Sequence, residues 1–208
     1  QNATAKFDNV IIDNNDFTDI TGAAIRVQFS NSNALEHSNW VISNNIMDNV
    51  ANGASNIGGI YISMDAGTTA TMTNLNIFGN VITATNDEEI SPAHAIQLVR
   101  SVTGTIHEDR YLGVKIYNNP IMHGGGGISV AHVSSYSGVY SQIYGNEISD
   151  INSTAGIITF YSKDLDIFAN KISEVKTYPA ISNIDGIGID LDLGNTNVWV
   201  YRNVVLDC

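Results

Sequence analysis

Along the chain, runs of three to five residues alternate apolar and polar positions and then break at Asn, Gly or Asp, and no stretch holds a helical period for ten residues. Alternation puts successive side chains on opposite faces of a strand, so from residue 7 onward the pattern predicts strands and turns. Two units recur within it. The first reads apolar, exterior, Asn or Gly or a substitute, Asn, one free position, apolar; its copies are Ile12 to Phe17, Ile42 to Met47, Ile77 to Ile82, Ile116 to Ile121, Ile143 to Ile148, Ile167 to Ile172 and Val200 to Val205. The second is a small residue followed by apolar, exterior, apolar. It occurs at Ala24 to Val27, Gly59 to Ile62, Ala95 to Leu98, Gly127 to Val130, Gly156 to Thr159 and Gly188 to Leu191. The two units alternate strictly.

The invariant Asn of the first unit falls at Asn15, Asn45, Asn80, Asn119, Asn146, Asn170 and Asn203, with spacings of 30, 35, 39, 27, 24 and 33 residues. A fixed motif at a varying period means coils of one shape joined by loops of different length, which is solenoid behaviour. All the variation lies on either side of the second unit. Before the invariant Asn stand Asn14, Asn44, Gly79, Asn118, Gly145, Ala169 and Arg202. Five of these are Asn or Gly, which tolerate left-handed backbone, so Ala169 and Arg202 are expected to sit in strained corners or corners of another type. Like residues of stacked coils repeat every ~4.8 Å, so the Asn side chains are expected to satisfy one another as an amide ladder. Phe78, Tyr117, Tyr144, Phe168 and Tyr201 are expected to form an external aromatic ladder. That ladder either stabilises the solenoid or offers a strip for sugar rings or a partner.

In these units the chain resembles a right-handed parallel β-helix of the pectate-lyase-like superfamily, and the resemblance spans nearly all of it. It implies an all-β, single-domain solenoid over residues 1–208, of about six to seven coils, each with three short strands. The Asn would lie at a two-residue turn between the second and third strands, with Gly145-Asn146 as one such corner. It also implies ligands along the outer face of the first strand. The variable loops point independently to the same face. No single enzyme family is matched. Asn195-Thr196-Asn197 and His123-Gly124-Gly125 only approach the motifs of polygalacturonases, and those of alginate epimerases and pectate lyases are missing.

Composition narrows the partners. A 43% hydrophobic and 14% charged chain of 208 residues supports one sizeable core. Nine basic against 21 acidic residues give a net charge of -12, so a nucleic-acid backbone would be repelled. No apolar run approaches a membrane span. The single Cys208 makes no internal disulfide. No amphipathic helix caps either end, so the chain is expected to be a segment of something larger or to associate with itself or with flanking domains.

On the first-strand face the outward positions are Arg26 and Gln28, Tyr61 and Ser63, Gln97 and Val99, Ser129 and Ala131, Ile158 and Phe160, and Asp190 and Asp192, with Arg100 and His132 just past two of these strands. In the fifth coil a slip of one residue would turn Thr159 outward instead. Arg26, Tyr61, Gln97 and Ser129 suit the hydroxyls of a glycan. Asp190 and Asp192 lie at i and i+2, roughly 6.5 to 7 Å apart on one strand face, near the carboxylate spacing of inverting glycosidases. With Asp185 they are also candidates to gather Ca²⁺, or they are plain exterior acids. Arg100 and His132 on adjacent coils are candidates to hold one uronate carboxylate, with His132 as a base, or they are ordinary surface residues. Gly124 to Gly127 precede no helix and so form no phosphate loop. Two functions follow as expectations: an extracellular β-helix that binds, cleaves or modifies an acidic polysaccharide, or a non-catalytic adhesin, fibre or surface-layer segment.

Overall fold

A computed structural model describes residues 6–29, 35–52, 57–65, 68–83, 93–100, 108–152, 154–176 and 186–208. The described residues form a right-handed parallel β-helix with three sheets and no helix. The first sheet stacks Ile25–Phe29, Ile60–Met64, His94–Arg100, Gly126–Ala131, Ala155–Phe160 and Ile187–Leu191. The second runs through Ile11–Asp13, Glu36–Ser43, Thr71–Phe78, Lys115–Tyr117, Ser141–Tyr144, Lys163–Phe168 and Thr196–Tyr201, with Tyr111–Leu112 and Val133–Ser134 paired beside this path. The third stacks Asp16–Ile20, Ile46–Val50, Val81–Thr83, Pro120–Gly124, Glu147–Ile151, Lys171–Val175 and Val204–Leu206. No helix of the described residues is long and apolar enough to cross a membrane.

The pairing register turns each recurring apolar position into an interior column. Ile12, Ile42, Ile77, Ile116, Ile143, Ile167 and Val200 align in the second sheet. Phe17, Met47, Ile82, Ile121, Ile148, Ile172 and Val205 align in the third. The first sheet contributes Ile25, Ile60, Ile96, Ile128, Ile157 and Ile189. In the central coils these side chains are fully buried, each stabilising the fold by about 1.5 to 3 kcal/mol relative to exposure. In the last coil Val200 and Val205 are exposed, because no further described coil stacks on them. Tyr111 is the largest side chain at zero exposure, and its hydroxyl donates to the carbonyls of Ile62 and Val99 at 3.0 and 2.7 Å.

At the corner between the second and third sheets the seven invariant Asn residues form one continuous ladder. Each Asn donates both its backbone N–H and its Nδ2 to the Oδ1 of the Asn in the next coil, from Asn15 through to Asn203, at 2.9 to 3.2 Å. The Nδ2 groups also reach back to the preceding coil, as Asn119 does to the Ile77 carbonyl and Asn146 to the Ile116 carbonyl. Amides at zero exposure, such as Asn80 and Asn119, are thereby satisfied where lone ones would be costly.

The residue before each of these Asn residues is left-handed in all seven coils: Asn14, Asn44, Gly79, Asn118, Gly145, Ala169 and Arg202 have φ between 51° and 66°. Ala169 and Arg202 therefore occupy corners of the same type as the others and not of another type. The stacking explains where Gly is needed. A Cβ on Gly145 would meet Asn118 Oδ1 at 2.5 Å, and one on Gly79 would meet Asn44 Oδ1 at 2.7 Å. Ala169 follows Gly145, which has no side chain to oppose its Cβ; what remains is the backbone cost of a left-handed alanine.

The external aromatic ladder is present, with Phe78, Tyr117, Tyr144, Phe168 and Tyr201 stacked at centroid distances of 4.9, 4.9, 5.0 and 5.1 Å and nearly parallel. Ring faces are spent on one another and only edges meet the outside. This geometry supports the stabilising role over a platform on which sugar faces would stack.

Candidate functional site

The outer face of the first sheet carries different chemistry in every coil, and it is the face flanked by the segments of varying length. Arg26, Tyr61, Gln97, Ser129, Ile158 and Asp190 stand in one register row across its six strands. At ~4.8 Å per strand the row is on the order of 24 Å long. It begins at an exposed Arg26, whose Nη2 donates to Gln28 Oε1 at 3.0 Å and whose guanidinium lies 5.9 Å from the Tyr61 ring centroid. Gln28 in turn donates to Asp65 at 3.1 Å. Gln97 and Ser129, in the middle, are only 6% and 5% exposed. In the fifth coil Thr159 is fully buried while Ile158 and Phe160 are half-buried, so Thr159 faces inward and the other two outward. Thr159 accepts Asn195 Nδ2 on its carbonyl at 2.8 Å and donates its hydroxyl to Asn195 Oδ1, which accounts for a polar residue at an interior position.

A group that sequence reasoning left outside the site lies at its centre. His94 starts the third strand of the first sheet, and its Nδ1 is 3.3 Å from Gln97 Nε2 while its Nε2 is 3.2 Å from Thr154 Oγ1. The Thr154 hydroxyl also lies 3.2 Å from the Gly125 carbonyl. One proton arrangement satisfies all of these: Gln97 donates to Nδ1, the Nε2–H donates to Thr154, and Thr154 donates to Gly125. It requires a neutral imidazole. Burial pushes the His94 pKa down to about 4, consistent with that form. Gly126, paired with His94 in the register, supplies the room, since a Cβ there would collide with the imidazole and with Thr154 Oγ1. The sequence carried this signal as a glycine facing a histidine across the register. Gln97 Oε1, buried, has no hydrogen-bond partner among the described residues.

Arg100 and His132 are not surface ligands. The Arg100 side chain is 6% exposed and pairs through Nη1 with Glu108, which also holds Arg110 through Nε and Nη2 at 2.9 and 2.7 Å. Burial, together with the neighbouring Arg110 charge, lowers the Arg100 pKa. His132 is fully buried, accepts the Glu108 N–H on Nδ1 at 3.2 Å, and stacks on Tyr161 at 5.4 Å. The expectation of an exposed base beside a free guanidinium is corrected on this point. Arg100 is the last residue of its strand and pairs with the fully buried Met64, on the parity of the interior Ile96 and Leu98; His132 follows its strand with a left-handed backbone, φ 58°.

Asp190 and Asp192 differ in setting: Asp190 is half-buried and engaged within the chain, while Asp192 is exposed. Asp185 lies outside the described residues. Among the described residues no group of three or more His, Cys, Asp or Glu side chains gathers as a metal site. An imidazole and carboxylate do meet on the far side of the coil. There His123 Nδ1 pairs with Asp150, whose other oxygen takes Lys176 Nζ at 3.1 Å and whose pKa is lowered first by that lysine. This pair faces away from the first sheet's row.

The face therefore offers neutral hydrogen-bonding groups in its middle coils, with Arg26 and Asp190 at the two ends and half-buried apolar side chains in the fifth coil, an arrangement able to hold a chain of hydroxyl-bearing rings. Compared with family models, curated proteins and solved structures, the chain matches none of them.

Proposed function

We propose that this protein is an extracellular or cell-surface, carbohydrate-interacting β-helix of the pectate-lyase-like superfamily that holds a polysaccharide along the outer face of its first sheet. The observation that carries this reading is the row Arg26, Tyr61, Gln97, Ser129, Ile158, Asp190: six register-matched positions on a rigid sheet, none repeating its neighbour, bordered by the loops of variable length. In the interior columns, the Asn corner and the aromatic ladder the register is used to repeat chemistry. Here it presents a sequence of different groups, as recognition of an extended ligand needs. Binding is favoured over turnover, because both ring nitrogens of His94 are engaged by Gln97 and Thr154 and His132 is buried.

Retention of the chain on a panel of insoluble polysaccharides, with release of reducing ends and unsaturated products followed in parallel, tests it. Retention on at least one glycan, lost in Tyr61→Ala and in Ser129→Trp, is the expected result. No retention on any of them sinks the reading. A second role, a rigid non-catalytic spacer in an adhesin, fibre or surface layer, is favoured by the Asn ladder running unbroken through all seven coils. The same panel separates the two, since a pure spacer is retained on nothing.

A further inference from the structure

We infer that the glycan taken by this face is a neutral, hydroxyl-rich chain and not a polyuronate; the inference rests on the carbohydrate reading above. The charges on and beside the row are the first ground. Arg26 is the one exposed cation among the described residues of the row, and it is already engaged by Gln28 and Tyr61. Against it stand Asp65, Asp190 and Asp192. The two guanidiniums nearby, Arg100 and Arg110, have side chains 6% and 12% exposed and share the Glu108 carboxylate. Neither is presented to a ligand. Around this face the whole chain carries a net charge of -12, so a polyanion is repelled during approach as well as at contact.

The hydrogen-bonding groups are the second ground, and they are independent of the first. Tyr61, Ser63, Gln97 and Ser129 fill the middle coils with neutral donors and acceptors. Tyr61 is the half-buried member of this set, and its phenol both donates and accepts, as the hydroxyls of a neutral ring require. An ionised carboxylate brings only acceptors. In the next coils the half-buried Ile158 and Phe160 suit the apolar face of an uncharged ring better than a charged one.

Equilibrium binding of the full 208-residue chain to two sets of oligosaccharides of matched length decides the matter. One set is neutral (glucan, mannan, galactan) and the other is uronate (polygalacturonate, alginate), each measured at low and high salt. Neutral chains are expected to bind with affinity that salt changes by less than about twofold, and Tyr61→Ala and Phe160→Ala are expected to weaken it about tenfold or more. Tyr144→Ala, on the second sheet, leaves it unchanged. The double variant Asp190→Asn/Asp192→Asn is expected to raise uronate affinity by about threefold or more without altering neutral binding, a gain that a folding defect cannot imitate. Tight uronate binding that collapses in salt or in Arg26→Ala overturns the inference and leaves the carbohydrate reading standing. Binding to neither set overturns both. Neutral binding indifferent to Tyr61→Ala and Phe160→Ala removes the ligand from this face.

Discussion

The corner between the second and third sheets and the outer face of the first sheet rest on the same parallel register, but they use it in opposite ways. At the corner, the polar groups of each coil are satisfied by the coils on either side: Asn119 accepts from Asn80 and donates to Asn146. A change in one coil leaves groups stranded in two others, so every coil must carry the same residue. On the first sheet's outer face bonds run within a coil, as Arg26 to Gln28 or Gln97 to His94. Contacts between coils occur there too, as Gln28 to Asp65 and His94 to Thr154, but each joins a different pair of groups and none continues as a ladder. Repetition thus marks positions on which neighbouring coils depend, and the outer rows are where residues vary from coil to coil.

The most direct way to break the comparison is to substitute on both sides of it. Asn119→Ala removes the acceptor of the Asn80 N–H and a donor to the Ile77 carbonyl in a region of zero exposure, while Asn80 Nδ2 keeps the Ile42 and Phe78 carbonyls. At ~1 to 3 kcal/mol for each group left unsatisfied, a loss of about 2 to 4 kcal/mol is expected in urea unfolding followed by circular dichroism. Arg26→Ala, exposed on the first sheet, is expected to change stability by no more than about 0.5 kcal/mol. Equal effects would mean that the ladder is not what holds the coils in register.

A second test asks whether the recognition face carries its own pH sensitivity. The His94 pKa falls from 6.5 unfolded to about 4 folded. The unfolded chain therefore binds more protons between these values. The contribution is fully present above pH 6.5 and is lost as pH falls toward 4. A shift of this size corresponds to roughly 3 kcal/mol. His94→Gln is expected to flatten that part of the stability profile. His37, stacked against Phe29 at 4.2 Å and accepting the Phe7 N–H on Nδ1, has a pKa lowered by burial and adds a slope of the same sign. An unchanged profile in the His94 variant would show that its imidazole is not held neutral. Next in size, Tyr111→Phe is expected to cost about 1 to 3 kcal/mol, since the Ile62 and Val99 carbonyls lose their common donor.

The same contrast explains what the sequence disclosed. The interior columns, the seven Asn residues and the aromatic ladder were legible because periodicity fixes them, and a register turns periodicity into contact. Two further left-handed columns went unread although their residues hint at them. Asn9, Asn39, Asn74, Gly113, Asp164 and Asn197 bend the second sheet; Asp19, Asn49, His123, Asp150, Glu174 and Asp207 end strands of the third. Asn and Asp dominate both, but the loops between coils vary in length and hide the alignment. The site was less legible. Arg100 and His132 read as outward because they come at strand ends, whereas Arg100 shares the interior parity of Met64 and His132 turns on a left-handed backbone. His94 gained a role only once the register set Gly126 beside it. Such pairings depend on loop lengths, which carry no repeat to align.

The smallest expected effect sharpens the corner itself. Gly145 and Ala169 stand in consecutive coils at φ 64° and 53°, and the register leaves room for a Cβ only at the second. Gly145→Ala must accept both a left-handed alanine and a contact with Asn118 Oδ1 and is expected to cost about 2 kcal/mol. Ala169→Gly relieves the backbone term alone, and the greater freedom of glycine in the unfolded chain offsets part of the gain, leaving about 0.5 to 1 kcal/mol of stabilisation. The two changes are measured best by their difference, because each exchanges the same atoms in the same turn. If Ala169→Gly destabilises, the corner at Ala169 draws on its methyl group for packing, and that packing outweighs the backbone cost of a left-handed alanine.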